Sequence, residues 1–240
     1  MTIKHSSRIL IMIIVGSFLF GCMNYTPTAV PTPTVTPSPE QMDKSLFNGI
    51  PCAAPCWHGL EVGKSTENDA LAVLPSLTFI DQKSVQIYRR PSVPDYFAMV
   101  SGPGAEIIAN CINSDRECLD LTTANDVLQK IIVGLNYEIR PDEAIGYLGD
   151  PDFIGYDDIG SERVICEVYL VWKSSRLVLA TTFEDSIEAE KYCYVVRDEG
   201  KVPASLPILE ARFLSDAELN FKLGTGTGKF FEFSGTAPEK

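Results

Sequence analysis

Residues 164–184 read VICEVYLVW, KSSR, LVLATTFE. Two runs rich in β-branched and aromatic residues flank a four-residue polar turn, Lys173-Ser174-Ser175-Arg176, which is the pattern of an antiparallel hairpin. The run 192–197 (YCYVVR) is expected to be a third strand beside it. Residues 206–214, 127–135 and 85–89 are further strand candidates.

Two segments between these runs carry helix signals. Thr66 stands before Glu67 and Asp69, and Ala70, Leu71, Val73 and Leu74 then recur at helical spacing until Pro75. That is a cap, an acidic first turn and a stop. Pro141 opens a second helix, with Asp142 and Glu143 at its positive end, Ala144, Ile145 and Leu148 on one face, and Gly149 and Pro151 ending it. Both helices are short and amphipathic, so each needs a sheet to lie on. The expected fold class is α+β, short amphipathic helices packed on antiparallel β-sheet. Gly59-Leu60 before Asp69-Ala70-Leu71 resembles Gly134-Leu135 before Glu143-Ala144-Ile145, with a one-residue gap. A tandem repeat and a chance likeness both remain open.

The first 21 residues hold Lys4 and Arg8, then an apolar run over 9–20, then Gly21-Cys22. The run is too short for a bilayer core, which takes roughly 20 residues, and its flanks are those of a secretory signal. Leu19-Phe20-Gly21-Cys22 resembles the lipobox of bacterial lipoproteins, with Phe20 departing from the smaller residue usual there. The resemblance implies cleavage before Cys22 and a lipid anchor on its thiol, with acyl chains such as palmitate. Residues 22–45 are then the lipidated N-terminus and a Pro/Thr-rich stalk (TPTAVPTPTVTPSPE), too poor in apolar groups to fold and biased toward extended chain. Residues 46–240 are left as one disulfide-stapled globular domain. The implied location is extracytoplasmic, in the cell envelope, on a membrane that the sequence does not specify.

The whole chain has 20 Lys and Arg against 32 Asp and Glu, a formal net charge of −12. Losing Lys4 and Arg8 leaves 18 against 32, or −14. Such a chain is repelled by phosphate backbones, so nucleic acid is excluded as a partner. Of seven cysteines, Cys22 goes to lipid and Cys52, Cys56, Cys111, Cys118, Cys166 and Cys193 remain. An even remainder in an exported chain reads as a disulfide framework. Six cysteines allow fifteen pairings; the neighbour pairing Cys52–Cys56, Cys111–Cys118 and Cys166–Cys193 is favoured, the last as a cross-strand bridge.

The run 139–151 (IRPDEAIGYLGDP), with Tyr169-Leu170-Val171-Trp172 and the strand from Leu177, resembles the small outer-membrane-assembly lipoproteins of the BamE/SmpA type and the related β-lactamase-inhibitor-protein fold. The segment 51–63 (PCAAPCWHGLEVG) is similar to the opening of other exported lipoproteins. These resemblances imply helices on an antiparallel sheet, often in tandem, acting by binding other proteins. They carry over no catalytic residue.

Chemistry-bearing residues are few. His58 is the one histidine left once His5 departs with the signal, and it is expected to be a turn residue rather than a base or ligand. Cys52 and Cys56 are three residues apart, where thioredoxin-type pairs have two; a structural bridge is favoured, and a redox pair or a copper or zinc site with His58 is the rival. Asp150, Asp152, Asp157 and Asp158 resemble a calcium loop, but Ile154 stands where an oxygen is needed, so a solvated turn is expected. Residues 224–229 (GTGTGK) resemble a phosphate loop, yet Leu223 and Phe230 break the register. Trp57 and Trp172 are expected in the core. The expectation is a non-catalytic binding or scaffolding module with no cofactor. Its partners are membrane lipid through the anchor and another envelope protein or surface ligand.

Overall fold

The structure, a computed structural model, describes residues 42–91, 102–159, 165–183, 186–224 and 228–237. The signal segment, Cys22, nearly all of the stalk and residues 225–227 of the glycine-rich run lie outside the described residues.

In chain order the elements are α1 (Ser45–Asn48), β1 (Cys56–Trp57), β2 (Leu60–Glu61), α2 (Glu67–Val73), β3 (Gln86–Arg90), β4 (Gly104–Asn110), β5 (Glu117–Ala124), β6 (Val127–Ile139), α3 (Pro141–Leu148), β7 (Phe153–Ile159), β8 (Ile165–Trp172), β9 (Leu177–Phe183), α4 (Ser186–Glu199), β10 (Val202–Pro203), β11 (Ile208–Leu214), α5 (Asp216–Gly224), β12 (Lys229–Glu232) and β13 (Thr236–Ala237). Nine strands form one antiparallel sheet in the order β12-β7-β8-β9-β11-β6-β5-β4-β3. The fold class is α+β, as the sequence led one to expect.

The order of elements repeats. A helix, α2, is followed by β3–β6, and a second helix, α3, is followed by β7, β8, β9 and β11, with α4 inserted before the last. The fourth strands of the two sets, β6 and β11, pair antiparallel at the centre of the sheet. The two glycines of the sequence likeness, however, serve different needs. Gly59 takes a left-handed backbone, φ 85°. Gly134 has no such twist; a Cβ there would stand 2.7 Å from the Glu117 carbonyl oxygen on β5.

Alternation places the core. Ile107, Leu119, Leu121, Ile131, Val133, Val168, Leu170, Leu177, Leu179, Ala211 and Phe213 all point to one face and form the main apolar cluster. Onto this inner face pack Ala70 of α2, Ala144 of α3, and Tyr192, Cys193 and Val196 of α4, together with Trp57 and Trp172. Thr66 and Asp69 close a reciprocal capping box at the start of α2, which stops in a short 3₁₀ turn at Leu74–Ser76. Gly149 terminates α3, and its carbonyl accepts the Trp172 indole N–H at 2.9 Å, tying the helix end to β8.

Two expectations are corrected. The segment 192–197 is not a strand but the second half of α4. Tyr192, Cys193 and Val196 are buried while Tyr194 and Arg197 are exposed, a stripe at 3.6-residue spacing within the helix that begins at Ser186. The aspartate-rich run is a solvated turn only at its start: Asp150 and Asp152 are exposed, but Phe153–Ile159 is a strand and Asp157 is buried.

Candidate functional site

All six cysteines of the domain stand in pairs at disulfide distance, Cys52–Cys56, Cys111–Cys118 and Cys166–Cys193, with Cα separations of 5.6, 4.8 and 6.5 Å. Cys111 and Cys118 close the β4–β5 hairpin. Cys166 on β8 reaches Cys193 on α4, so this bridge joins strand to helix rather than strand to strand.

The candidates Cys52, Cys56 and His58 sit together where the domain begins. Asp43 organises them, although the sequence places it at the end of the stalk. Its carboxylate accepts the Trp57 indole N–H at 2.8 Å and the Ser45 N–H at 3.0 Å, and meets His58 Nε2 at 3.2 Å. Burial alone raises the Asp43 pKa, but the bonds from His58 and Ser45, the His58 charge and the Trp57 bond outweigh it and hold the carboxyl below its ordinary value. The Gly59 N–H approaches Cys52 Sγ at 3.4 Å. The arrangement fixes the imidazole by a carboxylate while both sulfurs are engaged with each other. Among the described residues no group of three or more His, Cys, Asp or Glu is arranged to hold a metal ion.

Beside this corner a cleft of about 370 Å³ opens between α1, the end of β6 and α3, walled by Phe47, Tyr137 and Tyr147 with Lys44, Glu138 and Glu143. The Tyr137 hydroxyl donates to the Asp43 carbonyl at 2.8 Å, linking cleft to corner. A second cleft of about 390 Å³ lies between the end of α5 and the β7–β12 edge, against Phe153, Leu223 and Phe230.

The least foreseen feature lies on the outer face. There Tyr169, Val171, Val178, Ala180 and Leu214 form a second apolar cluster, closed by Leu219 of α5. Within the same region Arg212 donates to both Glu167 and Glu210, the Tyr169 hydroxyl donates to Glu167, and Thr182 donates to Glu167 at 3.1 Å. Lys222 of α5 sets its ammonium 3.6 Å from the Tyr169 ring centroid. Burial raises Glu167, but the Arg212 charge, the Tyr169 bond and the Lys222 charge carry it below its usual value. Burial depresses Lys222 to about 8 against the pull of Glu167. A signal for this cluster is present in the sequence: Glu167 in β8, and Glu210 with Arg212 in β11, interrupt strands that are otherwise apolar. Comparison of the chain with protein-family models, with curated proteins and with solved structures found no match in any of the three.

Proposed function

We propose that the chain is a lipid-anchored, extracytoplasmic envelope protein whose domain is a non-catalytic binding or scaffolding module. The observation that carries this reading is the cysteine arithmetic. Three pairs at disulfide distance account for six of the seven cysteines, which suits an oxidising compartment and leaves Cys22, behind its apolar run, for acylation. The likeness of residues 139–151 to the BamE/SmpA type supports a role in binding other envelope proteins. The net charge argues against nucleic acid.

The test has two parts. Cys22→Ser is expected to abolish labelling by palmitate and to shift the chain out of the detergent phase or leave it uncleaved; unchanged size and partition sink the anchor. Crosslinking in intact envelopes is expected to trap a defined partner through the domain.

A second reading, a thiol-redox or metal-handling protein using Cys52, Cys56 and His58, is favoured by one observation. The Gly59 N–H is placed to stabilise a thiolate on Cys52, beside the Asp43-bound imidazole. A reduction potential for that pair near −200 mV, or stoichiometric copper or zinc on the reduced protein, selects this reading; structural bridges lie below about −300 mV.

A further inference from the structure

We infer that the cleft between α1, β6 and α3 binds a small organic cation, an ammonium group carried on an apolar body, held against the rings of Phe47, Tyr137 and Tyr147 and faced by Glu143. This rests on the reading of the domain as a binding module and names a ligand class for it.

The walls supply the first argument. Phe47 meets Tyr137 edge-on, with ring centroids 6.5 Å apart and planes at 79°, and meets Tyr147 at 5.7 Å and 43°. Three rings at such angles form a corner, not a stack, and a cation within about 6 Å of a ring centroid is attracted by the ring quadrupole. The corner is also fixed in place. Tyr137 is half-buried and held by its bond to the Asp43 carbonyl, and the Phe47 ring bridges the two tyrosines. Tyr147 by contrast is 59% exposed, a large aromatic left at the mouth of the cleft.

Charge supplies the second. Glu143 on α3 and Asp43 behind Tyr137 are the carboxylates that act at the cleft wall, and Lys44 is the one basic residue in the lining. Glu143 and Tyr147 are four residues apart on α3, so acid and ring share one face of the helix. The local field is negative at the cleft wall: the Tyr137 phenol is pushed well above its usual value, by burial first and then by Asp43 and Glu143. The negative wall disfavours an anion, and a neutral apolar ligand gains nothing from the Glu143 carboxylate. A bare metal ion is disfavoured by walls made mainly of ring carbon. The volume, about 370 Å³, falls at the small end of the roughly 300–1,000 Å³ range of ligand clefts.

The experiment is a calorimetric titration of the mature lipoprotein, in a maltoside detergent that carries no ammonium, with choline and with its uncharged isostere 3,3-dimethyl-1-butanol. Choline is expected to bind in the millimolar range and the isostere at least about tenfold more weakly. Tyr147→Ala is expected to weaken choline by about tenfold, and Glu143→Gln by a few-fold. Tyr147 is mostly exposed, so near-ultraviolet dichroism should show the folded domain unchanged. Equal binding of the isostere, or no choline binding by the unaltered protein, overturns the inference. Competition by short-chain phosphatidylcholine distinguishes the sources: displacement at lower concentration than free choline identifies a lipid headgroup, and displacement at equal or higher concentration identifies a free solute, both in support. If choline fails while envelope crosslinking still traps a partner, the cleft inference falls and the binding-module reading stands.

Discussion

Across the outer face of the sheet one row of side chains runs in register through seven strands: Ile108, Asp120, Ile132, Arg212, Val178, Val171 and Phe153. Its surroundings change half way. In β4–β6 the neighbouring outer positions are Glu106, Thr122 and Lys130, all partly exposed. In β8 and β9 the row continues into Val178 and Val171, fully enclosed, and α5 adds Leu219 to the cover. Each half also holds an ion pair of similar chemistry. Lys130–Asp120 lies in the first half, with side chains 26% and 10% exposed, while Glu167 in the second is nearly sealed and paired with Arg212. The difference shows what a covering helix does to a charge pair. In the open half the pair is an accessory to a sheet that is stable through its other face. In the covered half the charges have lost water and depend on one another.

The largest expected effect follows directly. Arg212→Met leaves the Glu167 carboxylate buried with only Tyr169, Thr182 and Lys222 to support it, at a cost of about 3–5 kcal/mol. Urea unfolding measures it. Combining Arg212→Met with Glu167→Leu removes both charges and is expected to recover most of the loss. A single-mutant loss below about 1 kcal/mol, as for exposed pairs, breaks the contrast between the halves.

The disulfides extend the comparison. Cys111–Cys118 closes a loop of sequence separation 7, and Cys166–Cys193 one of 27. Loop-closure entropy then assigns about 2.5 kcal/mol to the first and about 3.6 kcal/mol to the second. Replacing each pair by alanines and comparing urea midpoints should rank them in that order. A reversed ranking would mean that the β4–β5 hairpin depends on its bridge more than the junction of α4 with β8 does.

The hairpin, the two short helices and the two close cysteine pairs were legible because each rests on neighbours in sequence: alternation over seven or eight residues, a cap three residues from its partner or a proline at the first helical position, a short cysteine spacing. Cys166 and Cys193, 27 residues apart, were paired for a strand neighbour that the structure replaces with a helix. Tyr192–Arg197 misled because its six residues have strand composition, and only the glutamates, alanine and lysine before them reveal the helical phase. That the interrupting acid and arginine meet was hidden for a different reason. Glu167 and Arg212 are 45 residues apart and meet only because β11 is inserted beside β9, a topology that no local pattern encodes. Asp43 was read as stalk for the same reason, since its partners Trp57 and His58 are 14 and 15 residues away.

Lys222 gives a smaller, pH-dependent effect confined to the covered half. Unfolded, its amine titrates near 10.4; on the sheet-facing side of α5 it is depressed to about 8, through burial that Glu167 only partly offsets, with Arg212 adding to the depression. Between those values the unfolded chain holds more protons than the folded one, so stability rises with pH across that window. The rise is expected to be on the order of 1–2 kcal/mol, allowing for the partial exposure of the side chain. Lys222→Met should remove it. Persistence of the same slope in the variant would assign it to another group.

The smallest effect is expected at Lys130–Asp120, and it tests the open half on its own terms. The ammonium lies 2.7 Å from the Asp120 carboxylate, which also accepts the Thr122 hydroxyl at 3.1 Å, so Asp120 keeps one partner if Lys130 is removed. Lys130 is a quarter exposed and its charge remains hydrated when the carboxylate is lost. The loss of Lys130 is therefore softened by Thr122 and that of Asp120 by water, and a double-mutant cycle of Lys130→Ala with Asp120→Asn should give a coupling of about 0.5–1 kcal/mol. The coupling should shrink further between 0.05 and 0.5 M salt, as ions screen charges that solvent can reach. Coupling above about 2 kcal/mol with no salt dependence would place this pair in the same class as Glu167–Arg212, and would require that the open half of the outer face be covered in the assembled protein.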